Sequence, residues 1–209
     1  MSFAETIKLI DNYKDGSIKE IQNEIKECAL FRPPELTMTH LFNQSDLDEL
    51  IQLNLSWAIP YDETIKWLAQ FIGKRRVLEV YAGTWLYAKL LKDENVDIVA
   101  TDLNSFSYSE RKSTFTDVEK LNSIDAVIKY PTDVLLMCWP PKDYSSDKMD
   151  YQCLKEFKGD YFIFIGEFDG CTGSEELMNE INRNWKLSKT EIDYWNFKCS
   201  DHVSIFERK

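Results

Sequence analysis

Residues 75–104, RRVLEVYAGTWLYAKLLKDENVDIVATDLN, constrain the fold of this chain more than any other stretch. An apolar strand over residues 77–81 carries an acid, Glu79, near its end. A tight turn, Ala82-Gly83-Thr84, follows, then a helix over residues 85–91 and a second strand over 97–101 closed by Asp102. Runs that are apolar throughout, rather than at every second position, are strands buried on both faces, as in parallel sheets covered by helices. Strand, helix and strand in this order make a βαβ unit.

In open parallel sheets ligands lie beyond the carboxyl ends of the strands. Small residues in the turn let a ligand approach the backbone, and the helix start adds a positive dipole end. An acid at the next strand end accepts ribose hydroxyls. Gly83 and Asp102 are 19 residues apart, close to the ~20 of nucleotide-binding folds. The bland alternative is an ordinary strand–turn–helix with solvated acids at its strand ends.

The same rhythm continues. Strands are expected over residues 124–128, 134–138 and 161–166, with helices over 147–157 and 174–184. Two strands with little between them, 187–195 and 202–207, suggest a closing antiparallel pair. Before the βαβ unit the chain reads as helical. Ser17-x-x-Glu20 is a capping-box pattern ahead of Ile18, Ile21, Ile25 and Cys28 on one face. That helix must stop before Arg32-Pro33-Pro34. A second starts near Ser45, and a third spans residues 62–72. The expected organisation is a helical extension over residues 1–55 and an α/β domain over 56–209.

Composition narrows the function. The chain has 209 residues, with 25 Lys+Arg against 36 Asp+Glu, a net charge of −11. That argues against direct nucleic-acid binding, which needs a basic stripe, and leaves room for a protein partner through residues 1–55. Seven Gly in 209 residues is about half the usual share, so a long Gly-rich phosphate loop is not expected. Five scattered Cys (28, 138, 153, 171, 199) without C-x-x-C spacing read as reduced thiols. The chain starts without an apolar signal region, and its apolar runs fall short of the ~18 residues of a membrane span. A cytoplasmic protein without membrane association is expected. With only His40 and His202, a His-based triad or metal site is not expected, and each His reads as structural.

Residues 77–102 resemble motifs I and II of class I S-adenosylmethionine-dependent methyltransferases, whose first strand ends Glu/Asp-x-Gly-x-Gly-x-Gly and whose second ends in an acid. Residues 56–208 also resemble a small methyltransferase-like group, through Ser56-Trp57-Ala58-Ile59-Pro60, Cys138-Trp139-Pro140-Pro141 and Gly166-Glu167-Phe168-Asp169-Gly170-Cys171-Thr172-Gly173. The resemblance implies a Rossmann-like α/β fold with a seven-stranded, mainly parallel sheet of order 3-2-1-4-5-7-6, and S-adenosylmethionine as cofactor. It carries cofactor contacts onto Glu79, Tyr81, Ala82, Gly83, Thr84, Trp85, Asp102 and Cys138. Contacts to a small-molecule or protein methyl acceptor fall on Ser56, Trp57, Tyr61, Pro140 and Pro141, with Glu167 and Trp139 at the catalytic centre.

The departures from the family pattern leave two readings. Tyr81 stands for the first motif glycine, as Phe or Tyr does in several methyltransferases acting on ribosomal RNA or adenine. Trp85 stands for the third. Either its indole packs beside the ligand, or it fills the pocket and the chain is a catalytically inactive binding protein. The segment Cys138-Trp139-Pro140-Pro141 sits where amine methyltransferases carry Asp/Asn-Pro-Pro-Tyr/Phe. The Trp139 indole has only a donor, so backbone carbonyls and the ring face are left to hold a substrate, even a cationic one. The alternative is a Pro-terminated strand with Trp139 as a core plug. Glu167 reads as a general base or substrate clamp, or as part of a capping turn with Thr172-x-x-Glu175. Ser56, Trp57 and Tyr61 read as a lid, or as an anchor for the helical extension.

Overall fold

The computed structural model describes residues 56–60, 62–83, 85–103, 118–142, 148–168, 170–191, 194–195 and 201–209. The chain divides into two compact units, Met1–Trp57 and Ala58–Lys209. The expected helices over residues 17–31 and from Ser45 lie outside the described residues, as do Tyr61 and Thr84.

In chain order the second unit contains β1 (Ile59–Pro60), α1 (Asp62–Ile72), β2 (Val77–Val80), α2 (Leu86–Asp93), β3 (Ile98–Asp102), β4 (Glu119–Lys120) and α3 (Ser123–Lys129). Then come β5 (Val134–Cys138), α4 (Met149–Glu156), β6 (Tyr161–Gly166), α5 (Glu175–Asn184), β7 (Trp185–Glu191), β8 (Tyr194–Trp195) and β9 (His202–Arg208). The main sheet runs β4-β3-β2-β5-β6-β9-β7. β2 pairs in parallel with β3 and β5, and β5 with β6, whereas β9 is antiparallel to both β6 and β7. Numbered within this sheet alone, the order is 3-2-1-4-5-7-6 with an antiparallel last strand, as expected. β1 and β8 form a separate two-stranded antiparallel pair.

The central strands are apolar throughout because both faces are covered. On one face Leu78, Val80, Leu135, Met137, Phe162 and Phe164 pack with Cys153 and Leu154 of α4, Leu177 and Ile181 of α5, and Trp185. Residues of opposite parity, among them Val77, Glu79, Leu136, Cys138, Ile163 and Ile165, point to the other face and are buried.

Several expected boundaries are corrected. Residues 124–128 are not a strand; they lie in α3, whose N-cap Asn122 accepts the backbone N–H of Asp125 through its side chain at 2.8 Å. That cap satisfies a free donor of the first helical turn and outweighs the β-like run Ile-Asp-Ala-Val-Ile. The third sheet position is taken by the two-residue β4, whose Glu119 and Lys120 lack any apolar signal. The expected strand over 187–195 is two elements, β7 and β8, which belong to different sheets. The helix expected from residue 85 starts at Leu86, with Trp85 as its N-cap.

Candidate functional site

The turn after β2 keeps a glycine-loop backbone with only one of its three glycines. Tyr81, Gly83 and Trp85 have φ of 58°, 57° and 70°. These are the three alternating positions that the family pattern gives to Gly. Only Gly83 reaches the left-handed region without a Cβ penalty, which is roughly 1–2 kcal/mol for other residues. Strain of this kind persists only where the surroundings over-determine it, and it gathers at functional sites.

The surroundings of Tyr81 and Trp85 differ. The hydroxyl of Tyr81 lies 3.0 Å from Ser123 Oγ at the start of α3, so its ring leaves the turn and ties it to the neighbouring helix. Trp85 donates its backbone N–H to Ala82 O at 2.7 Å and caps α2 with no side-chain cap bond. Its side chain is buried, at 5% exposure, and among the described residues its indole N–H has no hydrogen-bond partner.

Two acids bracket the turn. The Asp102 carboxylate, at the end of β3, accepts the Gly83 backbone N–H at 2.8 Å, and Ala82 N–H bonds Thr101 O at 3.3 Å. These bonds lock the turn against the strand end 19 residues later. Glu79 is 1% exposed. Burial pushes its carboxyl up to about 8, against a backbone bond from Ala88 in the first turn of α2, and the nearby Asp102 raises it further. Burial thus favours its neutral form, and among the described residues one of its oxygens, Oε2, has no hydrogen-bond partner. Tyr87 of α2 is equally buried, and its hydroxyl is also unpartnered. Desolvation raises its ionisation well above the usual phenol value, with Cys138, Asp201 and Glu79 adding to it.

The two segments after β5 and β6 are joined. Trp139, at φ 50°, donates its backbone N–H to Ile165 O at 2.8 Å. Gly173 N–H bonds Pro140 O at 2.9 Å, Pro141 bridges Thr172, and Lys142 Nζ reaches Gly170 O at 2.8 Å. The Glu167 carboxylate accepts the backbone N–H of Cys171 at 2.9 Å, and its own N–H bonds Thr172 Oγ1 at 2.9 Å. Glu167 thus closes its own turn. A Cβ on Gly170 would lie 2.2 Å from the Glu167 side chain, and one on Gly166 would lie 2.5 Å from Thr172 Oγ1.

The cap of α5 is Ser174, not Thr172. Ser174 Oγ accepts Leu177 N–H at 3.1 Å. The buried Asp150 carboxylate in turn takes Ser174 N–H at 2.6 Å and its hydroxyl at 2.9 Å. Sequence reasoning missed Asp150, Tyr87 and Asp201. Asp201 is 4% exposed and accepts the Trp139 indole N–H at 3.0 Å. Asp150 and Asp201 are lone acids outside a motif to which only the fold gives partners, and Tyr87 is one apolar-face position of α2 until its hydroxyl is seen to be buried.

Glu79, Tyr81, Ala82, Gly83, Trp85, Asp102 and Cys138 therefore come together at the carboxyl ends of β2, β3 and β5, with Trp139, Pro140, Pro141 and Glu167 beside β5 and β6. Ser56 and Trp57 belong to the other unit. Among the described residues no group of His, Cys, Asp and Glu could hold a metal ion, and no helix is long and apolar enough to cross a membrane.

The sheet order, its antiparallel last strand and the acid-bracketed turn define a class I methyltransferase-type, Rossmann-like fold. No family model and no curated protein matches the sequence. Solved structures similar to it include a SAM-dependent methyltransferase from Archaeoglobus fulgidus, at 15% identity and TM-score 0.48, over 83% of this chain and 100% of that one. The N-methyltransferase NodS from Bradyrhizobium japonicum, in complex with S-adenosyl-L-homocysteine, matches at 9% identity and TM-score 0.48, over 70% and 85%. A ribosomal protein L11 methylase from Lactobacillus delbrueckii subsp. bulgaricus matches at 12% identity and TM-score 0.47, over 75% and 85%.

Proposed function

We propose that this chain binds S-adenosylmethionine at the turn after β2 and at Asp102, and transfers its methyl group to a small molecule or a protein side chain. The observation that carries the reading is the backbone of Tyr81, Gly83 and Trp85. A left-handed conformation at three alternating positions, two of them non-glycine, maintains at a cost in strain the loop shape that a nucleoside cofactor uses.

The residues present fit the group. Asp102 is fixed by Gly83 N–H at the position from which an acid accepts ribose hydroxyls. Glu79 Oε2, Trp85 Nε1 and Tyr87 Oη are buried without hydrogen bonds within one βαβ unit. Orphans of this kind are rare in closed cores, and a polar ligand nearby is a reason for them. When bound, the cofactor supplies an electrophilic methyl group on a sulfonium. The chain's part is then to position and desolvate the acceptor. The turn at residues 138–141 offers its backbone and the Trp139 ring for this. Glu167, held by Cys171 N–H, stands beside this turn as a general base or substrate clamp.

A second reading, a catalytically inactive methyltransferase-like binding protein with a partner through residues 1–55, is favoured by one observation. The Trp85 indole is buried where the family pattern has no side chain.

The test is calorimetric titration with S-adenosylmethionine and S-adenosylhomocysteine. Both are expected to bind the parent. Asp102→Ala is expected to weaken binding by about 1.5–3 kcal/mol, the scale for hydrogen bonds to a charged acceptor, or roughly 10- to 150-fold. Unchanged affinity in the variant, or no binding to the parent, overturns the reading.

A further inference from the structure

Trp139 is held in a conformation that its own sequence opposes. It precedes Pro140, and a proline disfavours helical backbone at the residue before it, yet Trp139 has φ 50°. Its backbone N–H is tied to Ile165 O at 2.8 Å. Its ring is tied by one further bond, from Nε1–H to Asp201 Oδ2 at 3.0 Å, across 62 residues. The indole has a single donor and no acceptor, so this bond commits its only polar atom. The half-buried remainder of the ring can offer a ligand only apolar surface and a π-face.

Asp201 is well placed to hold it. The residue is 4% exposed and immediately precedes β9, whose His202 stands opposite Gly166 in register. Its backbone carbonyl lies 2.5 Å from His202 Nδ1, which fixes the segment from the other side. A bond to an ionised acceptor is roughly twice as strong as a neutral one, and here it joins the carboxyl end of β5 to the amino end of the antiparallel β9.

We propose that Asp201 is the positioning residue of this site: through the Trp139 indole N–H it sets the orientation of the ring at the end of β5. That this ring borders the cofactor and faces the methyl acceptor rests on the function proposed above.

Among the described residues, the titratable and charged groups facing Asp201 are Glu167 after β6, His202 of β9 and Tyr87 of α2. Burial pushes the Asp201 carboxyl up to about 6. The Trp139 bond opposes that rise, Glu167 adds to it and His202 lowers it. The link is charge-assisted above that pH and weakens below it.

The experiment is an NMR pH titration of the full chain labelled with 15N at its six Trp indoles, with the Trp139 resonance assigned through Trp139→Phe. The Trp139 indole resonance is expected to move with a midpoint near pH 6. In Asp201→Asn the amide oxygen still accepts the bond, so the protein stays folded and the resonance persists but no longer moves between pH 5 and 7.5. A bond with no bearing on the site would titrate in the same way but leave S-adenosylhomocysteine affinity equal in the parent and Asp201→Ala, which would overturn the positioning role. A parent resonance that does not titrate, or a titration unchanged in Asp201→Asn, overturns the proposal. Adding S-adenosylhomocysteine at pH 7.5 is expected to shift the same resonance. Binding without that shift removes Trp139 from the cofactor's surroundings and overturns its place in the site. Absence of binding overturns the proposed function, while the pH titration still decides whether Asp201 orients Trp139.

Discussion

Replacing Glu79 by Gln isolates the buried acid at the heart of the turn. The side chain is 1% exposed, and its carboxyl is raised from 4.5 to about 8, chiefly by burial. A folded-state value above the unfolded one means that the stability contribution is whole below pH 4.5 and lost as pH rises through 8. Between those limits the folded chain holds one more proton than the unfolded chain, so stability falls by about 1.4 kcal/mol per pH unit. Gln keeps the shape and an acceptor for Ala88 N–H but does not titrate. Its unpartnered NH2 stands where the neutral acid has an unpartnered oxygen, so the absolute cost of the change is small beside the slope. Urea unfolding of parent and variant at pH 5, 6, 7 and 8 reads the difference directly. The variant's stability relative to the parent is expected to rise by about 3–4 kcal/mol from pH 5 to 8. The slope from Asp201 is common to both proteins and cancels. A difference that does not change with pH would mean that Glu79 is ionised in the folded chain, and the account of its burial would fail.

Trp85→Gly loses a buried indole, about 3–5 kcal/mol, and recovers roughly 1–2 kcal/mol of left-handed strain. A net loss of about 1–4 kcal/mol in thermal unfolding is expected, together with weaker cofactor binding; a destabilised variant that binds better would establish the filled-pocket reading. Asp150→Ala leaves Ser174 N–H and its hydroxyl without their acceptor and is expected to cost about 2 kcal/mol in urea unfolding, whereas Glu175→Ala at an exposed position of the same helix turn should cost under about 1 kcal/mol. Gly166→Ala brings a Cβ to 2.5 Å from Thr172 Oγ1 at φ 155° and is expected to lower stability by about 2 kcal/mol, with a matching fall in melting temperature.

The parallel core was legible because strands buried on both faces leave unbroken apolar runs, as in Val77–Val80, Val134–Cys138 and Tyr161–Gly166. The spacing of Gly83 and Asp102 marked the βαβ unit, whereas the bond between them is visible only in the fold. What escaped had no local signal. Five residues of α3 look like a strand until Asn122 is recognised as a cap. β4 is two charged residues paired with β3, with Glu119 also tied to Lys129 and Tyr130, and β8 departs from β7 to pair with β1. The left-handed backbone at Tyr81, Trp85 and Trp139 contradicts what each residue prefers, so only tertiary contacts can impose it. Asp201 and Asp150 gain their roles across 62 and 24 residues, separations at which a lone acid announces nothing.

A crystal structure of the full chain with S-adenosylhomocysteine tests the central claim most directly. The account predicts the adenosine over the 79–85 turn, with both ribose hydroxyls within about 3 Å of the Asp102 carboxylate and the Trp85 indole against the ligand. An indole occupying the adenosine position, with the ligand absent or bound elsewhere, would contradict it.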